Sequence, residues 1–377
     1  MAAKLVRPHP TPLSDHVSAA AHPGWYPRDY AGEFDVGKVR LRCLRALSPT
    51  RRIAYRGSVA DIREGRIPTV PTVLRCCAAL VATPPKLLRP RRPDTGLLAS
   101  IEPAPLPPVR ATVRLRVIPQ ATMSAPAAIV AEGVRSLREL PMAMGSYLVE
   151  HPSARFLVDP ALCADPHSRV LPGLPFPIPL LVAPDKPVLG LSDALAARDI
   201  AVSDIDFVLP THLHWDHVSG LLELPSSIEI KLPAMELDWA TTGPHAPMSV
   251  VRATLEGRAC APFELDGPPV LTFHRSRDLF GDGSVVLVDL AGHTPGSIGV
   301  LLAADDGSRV LLAGDAVWNK LQIELIREKA PMPGLLFDAD RDATFATIHR
   351  LHALPDGIEV VAAHDHDAVT ALAARHH

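Results

Sequence analysis

The stretch Thr211-His-Leu-His-Trp-Asp-His217 constrains this chain more than any other. Three imidazoles and a carboxylate fall within it, directly after an apolar, strand-like run of Ile205, Phe207, Val208 and Leu209. Imidazole nitrogen and carboxylate oxygen are the borderline ligands that suit zinc and related divalent metals. Alternate residues of an extended segment project to one side, so His212 and His214 can grip one ion together. Asp216 and His217 then face a second direction as the chain turns into the helix-like Val218–Leu224. A catalytic site leaves one position for water where a structural site uses four protein ligands. Either way the fold has to bring further ligands to this loop.

Three candidates follow in order. His293 sits in Leu290-Ala-Gly-His-Thr-Pro-Gly-Ser297, just after the run Val285–Leu290. Asp315 follows Val310–Ala313 in Ala-Gly-Asp-Ala, and His364 closes Ile358–Ala363 in Ala-Ala-His-Asp-His. Each stands at the C-terminal end of a strand-like segment, where loops build sites on a rigid sheet. Taken singly, His293 or Asp315 reads as a cap or turn residue; the ordered set raises them above that. Trp215 reads as packing, and His366 and Asp367 read equally as outer partners of a site or as an exposed terminal loop.

In order and context, His212, His214, Asp216, His217, His293, Asp315 and His364 resemble the ligand set of the metallo-β-lactamase superfamily of binuclear metallohydrolases. Asp159, closing the strand-like Phe156–Val158, resembles that family's first motif, a buried carboxylate that orients the metal loop. Pro160-Ala161 follows it where many members have Thr-Gly. The resemblance spans roughly residues 115–377. It implies a four-layer αββα sandwich of the α/β class with two divalent ions, zinc first and iron or manganese as alternatives. His212, His214 and His293 would hold one ion, Asp216, His217 and His364 the other, and Asp315 would bridge them. A metal-bound hydroxide would then attack a carbonyl carbon or a phosphorus, with Asp216 and Asp315 as the catalytic carboxylates.

Composition sets the domain plan. With 377 residues, 47% of them hydrophobic, the chain can bury a large core. Residues 1–118 carry 20 Lys+Arg against 8 Asp+Glu, whereas the remainder carries 18 against 33. An acidic catalytic body argues against a polyanionic substrate held on a broad basic surface, and no nucleic-acid motif accompanies the basic N-terminal part. The expected division is a Pro/Arg-rich, poorly ordered extension with a linker over 1–110, followed by one hydrolase domain over 111–377. Cys43, Cys76, Cys77, Cys163 and Cys260 form no paired framework, which fits a reduced, cytoplasmic compartment. The nearest approach to a membrane span is Val70–Leu88, interrupted by Pro71, Arg75, Pro84, Pro85 and Lys86, so no span is expected, with a degraded anchor or secretory segment, and hence a membrane-associated or exported form, as the alternative.

From Val113 onward the pattern is short strands separated by turns and helices. Strands are expected at 112–118, 147–150, 155–158, 206–209 and 229–231, and later at 270–273, 285–289, 297–303, 310–313 and 358–362. Asp306-Gly307 between two apolar runs predicts a hairpin. Helices are expected at 191–198, 235–240 and 342–354, the last burying Phe345, Ile348 and Leu351 on one face. Residues 160–187 are Pro-rich and apolar, which suits a lid or pocket wall for a hydrophobic group, or a dimer contact.

Branches of the family differ at identifiable places. True β-lactamases lack the carboxylate at the position of Asp315. Glyoxalase II-type thioesterases need a helical domain after the last ligand, for which the few residues beyond His364 are too short. Ribonuclease Z-type phosphodiesterases need a basic surface. Quorum-quenching lactonases are the most similar, although they carry Tyr three residues after the bridging Asp, where Trp318 stands here. The resulting expectation is a hydrolase of a lactone or ester of a small, hydrophobic molecule. The alternatives are a mononuclear iron oxidoreductase like the persulfide dioxygenases, a phosphodiesterase or thioesterase of the same superfamily, and a non-catalytic binding protein.

Overall fold

The computed structural model describes residues 53–54 and 68–376. Two sheets carry the chain. The first runs in the order β1 (Ile53–Ala54), β7 (Ala259–Phe263), β6 (Glu229–Pro233), β5 (Phe207–Leu209), β4 (Ala154–Val158), β3 (Glu139–His151) and β2 (Arg114–Pro126). The second runs β12 (Ile358–Val361), β11 (Arg309–Leu312), β10 (Ile298–Ala303), β9 (Val285–Asp289) and β8 (Ser276–Asp278).

Side-chain alternation makes these sheets layers. In β4, Phe156 and Val158 point into a central core while Leu157 points the other way; in β9, Val285 and Leu287 face the same centre and Val286 and Val288 face outward. Successive residues of a strand occupy opposite faces, so an unbroken apolar run means burial on both. The central cluster joins both sheets, with Phe156 stacked on Phe207 at a centroid distance of 4.7 Å. Outside the first sheet, Leu157, Val208 and Ile230 pack on Leu191 and Leu195 of the helix Leu191–Ala196. Outside the second, Val286, Val288 and Leu311 pack on Phe345, Ile348 and Leu351 of the helix Arg341–His352. The result is helix, sheet, sheet, helix: the expected αββα sandwich.

The hairpin at Asp306-Gly307 joins β10 to β11, with Gly307 at φ +87°, a region open to glycine at little cost. The expected helices are Leu191–Ala196, Ala234–Thr241 and Arg341–His352, each within about two residues of its expected bounds. The apolar stretch 270–273 is not a strand: Val270 and Phe273 pair with each other around Leu271 at φ +51°, forming a tight turn. The helix expected from Val218 begins earlier, at Trp215–Val218, and continues as a 3-10 turn over Ser219–Glu223.

Within the basic extension the described part contributes two helices, Thr69–Leu88 and Thr95–Ser100. Cys76 and Ala79 of the first lie buried in the same cluster as Trp215, Leu336 and Phe337. Thr83 Oγ1 accepts a hydrogen bond from Met332 N at 2.9 Å, tying this helix to the segment Pro331–Phe337. No helix among the described residues is long and apolar enough to cross a membrane. Residues 1–52 and 55–67, the rest of that extension, lie outside the described residues.

Because Phe156 is fully buried at the junction of the two sheets, Phe156→Ala is expected to lower unfolding free energy by about 3–5 kcal/mol. Urea titration followed by circular dichroism measures it; a loss under about 1 kcal/mol would contradict a shared core at this position.

Candidate metal centre

Strand direction explains why the ligand-type residues meet. Because β4 and β5 are parallel, Asp159 and the loop 211–217 leave the first sheet at one edge. In the second sheet, β11 and β12 are parallel, and β9 runs the same way because both it and β11 are antiparallel to β10. His293, Asp315 and His364, each a few residues past one of these strands, therefore emerge together.

All seven residues expected from the sequence converge. Ligand atoms of His212, His214 and His293 lie within 4.8 Å of one another, as do those of His212, His217 and Asp315, and those of Asp216, His217 and His364. Asp315 is central. Its Oδ1 is 3.2 Å from Nε2 of both His217 and His364, and its Oδ2 is 3.4 Å from His293 Nε2. Six of the seven are buried, and Asp216 is partly exposed.

The donor set fits divalent cations. His212 Nε2, His217 Nε2 and Asp315 Oδ1 are buried in this cluster without a hydrogen-bond partner. One such atom costs about 1–3 kcal/mol, so several in one place need a common partner. His214 Nδ1 and His293 Nε2 face each other at 2.9 Å, a hydrogen bond if one carries the proton and a pair of ligand nitrogens otherwise. Burial keeps His212 and His214 neutral, well below the ordinary histidine range. Burial also opposes charge on His217 and His364, but carboxylates led by Asp315 outweigh it and raise both, His364 to about 10. Protons thus neutralise Asp216 and Asp315 where cations would, and metal binding would release them.

A sequence profile of the metallo-β-lactamase superfamily matches residues 146–364, more than half of the chain and every one of these seven residues. The chain belongs to the metallo-β-lactamase superfamily. It is 26% identical over 186 residues to an N-acyl homoserine lactonase, AttM, of Azorhizobium caulinodans, a match covering 48% of this chain and 65% of that one. It is 28% identical over 247 residues to a cytochrome P450 monooxygenase of Penicillium brevicompactum, covering 61% of this chain but 29% of that protein. The chain thus spans under a third of the one relative and just under two thirds of the other. A solved N-acyl homoserine lactone hydrolase, with N-hexanoyl-L-homoserine bound at its catalytic metal centre, shares the fold at a TM-score of 0.53 and 16% identity. That likeness covers 70% of this chain and 97% of the other.

Buried groups behind the ligands hold them in place. Asp159 Oδ1 accepts from Thr211 N at 2.6 Å and its Oδ2 from Thr211 Oγ1 at 2.9 Å; the same Oδ2 lies 2.9 Å from His217 Nδ1, which leaves His217 Nε2 facing the centre. The turn that brings Asp159 inward is strained. Both Asp159 and Ala161 have φ of 50°, a left-handed conformation that a glycine at 161 would adopt more easily. His364 Nδ1 donates to Ala143 O at 2.8 Å.

Three supporting residues gave no signal in the sequence. Glu236, fully buried, accepts from Leu213 N (2.8 Å), Thr294 Oγ1 (2.7 Å) and Gly296 N (3.0 Å), clamping the loop of His212 to that of His293. Burial pushes its carboxyl up to about 7. Asp338 Oδ1 accepts from His293 Nδ1 (2.8 Å) and from the wholly buried Lys329 ammonium (2.7 Å), which also donates to Asp315 O at 3.0 Å. Burial opposes the Asp338 charge, but Lys329 prevails and holds its carboxyl down at about 2. His366 and Asp367 are not such partners: they stand 3.6 Å from each other, in part exposed, at the start of the helix His366–Arg375.

Over the cluster lies a cavity of about 270 Å³. Met123, Met142, Met144, Met332, Trp318 and Phe337 supply much of its wall, with Leu181 and Val182 from the apolar 160–187 segment. Trp318 Nε1 donates to Asp315 Oδ2 at 2.8 Å, so the indole fixes this carboxylate. No Lys or Arg lines the cavity among the described residues.

Neutralising Asp338 would leave Lys329 charged and buried, so Asp338→Asn is expected to cost about 3–5 kcal/mol of stability. Adding Lys329→Met should return a substantial part. Chemical denaturation of both variants checks this, and equal instability of the single and double variants would refute the charge argument.

Proposed function

We propose that this chain is a binuclear metallohydrolase that opens lactones or esters carrying an apolar substituent. His212, His214 and His293 would hold one zinc-like ion, Asp216, His217 and His364 a second, with Asp315 shared. The observation that carries the reading is the placement of these residues at the floor of a cavity whose walls are apolar and free of Lys and Arg. When bound, a pair of such ions lowers the pKa of bound water from 15.7 to about 7 and polarises a substrate oxygen.

The residues of the chain supply the rest. Asp216 is the partly exposed member of the cluster and lines the cavity, so its carboxylate is placed to take a proton and pass it to the leaving oxygen. Asp315 stays ionised, since opposite charges at His364 and His217 outweigh its burial. Lys329 and Asp338 hold His293 from behind, and Asp159 holds His217. The Met-rich wall excludes water and adapts its shape to an apolar group. A phosphodiester would meet no cationic side chain along that wall, which favours the carbonyl substrates. The Trp318 N–H is already engaged by Asp315, so the residue contributes a flat apolar surface rather than a donor to the substrate.

Two measurements test the reading. Elemental analysis should find two divalent ions per chain, and Asp315→Ala should reduce metal content together with turnover by at least about a hundredfold; unchanged turnover would defeat the shared-carboxylate mechanism. Across aryl esters and lactones of increasing acyl length, KM should fall by up to about fourfold per added methylene until the cavity is filled. A flat series, or faster cleavage of thioesters or phosphodiesters, would defeat the apolar-pocket assignment.

A further inference from the structure

The helix Thr69–Leu88 has two apolar faces, and the fold uses one. Thr72, Cys76, Ala79 and Thr83 recur every three or four residues and form its buried stripe. Val70, Leu74, Val81 and Leu88 follow the same rhythm on the opposite side, and there they are 70%, 64%, 77% and 65% exposed. A solvated helix would normally carry charge at those positions. In the segment 160–187, Leu171, Leu174 and Ile178 share a core cluster with Cys76 and Ala79, while Phe176 and Leu180 are exposed at 56% and 74%.

Charge identifies what covers such a face. No acidic residue occurs between Glu64 and Asp94, a stretch that carries Arg66, Arg75, Lys86, Arg89, Arg91 and Arg92. Arg91 pairs with Asp342 at 2.7 Å, whereas Arg75, Lys86, Arg89 and Arg92 have no carboxylate partner among the described residues. A second copy of the helix would set these cations against one another. The preceding chain is basic as well, with 12 Lys+Arg against 6 Asp+Glu over residues 1–67. The complement of an apolar stripe edged by cations is an anionic lipid surface.

We propose that the helix Thr69–Leu88 lies in the plane of an anionic membrane surface, with Val70, Leu74, Val81 and Leu88 immersed and the exposed Arg75 and Arg89 at the headgroups. Twenty residues with prolines at 84 and 85 do not cross the bilayer; the helix rests in its interface. On its inner side the helix is tied through Thr83 to Met332, a residue of the cavity wall. Docking would therefore bring the cavity next to a reservoir of apolar molecules. The docking itself does not depend on which bond is cleaved.

Flotation of the full-length protein with vesicles tests the proposal. Binding is expected to phosphatidylcholine vesicles that contain phosphatidylserine, with loss at high salt and little binding to phosphatidylcholine alone. Arg75→Glu or Arg89→Glu should each weaken it by at least about fivefold. Leu74→Asp with Val81→Asp should weaken it by at least about tenfold, while far-ultraviolet circular dichroism and cleavage of a water-soluble ester stay unchanged. Failure of the wild-type protein to float with phosphatidylserine vesicles would overturn the proposal. So would equal flotation of the Asp variant, or a wild-type dimer in sedimentation that the same substitutions dissolve, which would assign the stripe to a second copy.

Discussion

Polar atoms buried without partners are expensive, and this molecule collects several of them at one point. Nε2 of His212 and His217 and Oδ1 of Asp315 lie without partners in one cluster, into which His214 turns its Nδ1. Such an arrangement persists only if surrounding bonds hold each ring and carboxylate from behind and a cation satisfies the front. Asp159, Glu236 and Asp338 supply the rear bonds: Asp159 holds Thr211 and His217, Glu236 ties Leu213 to Thr294 and Gly296, and Asp338 holds His293. The same carboxylates set the charge pattern. Three imidazoles, His212, His214 and His293, are held toward the neutral form, His217 and His364 toward the protonated one, and the buried Lys329 keeps Asp338 ionised behind His293.

The sandwich makes that concentration tolerable. Its apolar strands are covered on both faces, so strain at the loops is borne by a core that does not need them. Asp159 and Ala161 adopt left-handed backbone angles at the end of β4, yet the strand itself pairs on both sides. A rigid sheet with a strained rim places side chains more accurately than a loop of the same length on its own.

What the chain disclosed before folding was uneven, for physical reasons. His212, His214, Asp216 and His217 are neighbours in sequence because one loop carries them, so their spacing alone announces them. His293, Asp315 and His364 were legible because each follows an apolar run that becomes a strand. Glu236, Lys329 and Asp338 act only through space. Glu236 stands 23 positions from the amide of Leu213 and 58 from Thr294, and nothing in its helix distinguishes it. The same limit applies to β7 and β8, whose sequences Ala-Cys-Ala-Pro-Phe and Ser-Arg-Asp lack strand character and are recruited by neighbouring strands. Conversely, the apolar stretch around Leu271 looked like a strand, but its backbone turns there. Hydrophobicity reports burial more faithfully than it reports extension.

Part of the cavity wall comes from stretches of chain other than the ligand loops. The ligands sit on loops that follow strands of the two sheets, whereas Leu181 and Val182 belong to the helix Ile178–Val182 and Met332 and Phe337 to Pro331–Phe337. Natural variation can therefore rewrite substrate preference one wall residue at a time while the reactive centre stays intact. A scaffold divided in this way is evolvable: its selectivity can drift over generations without passing through an inactive ancestor.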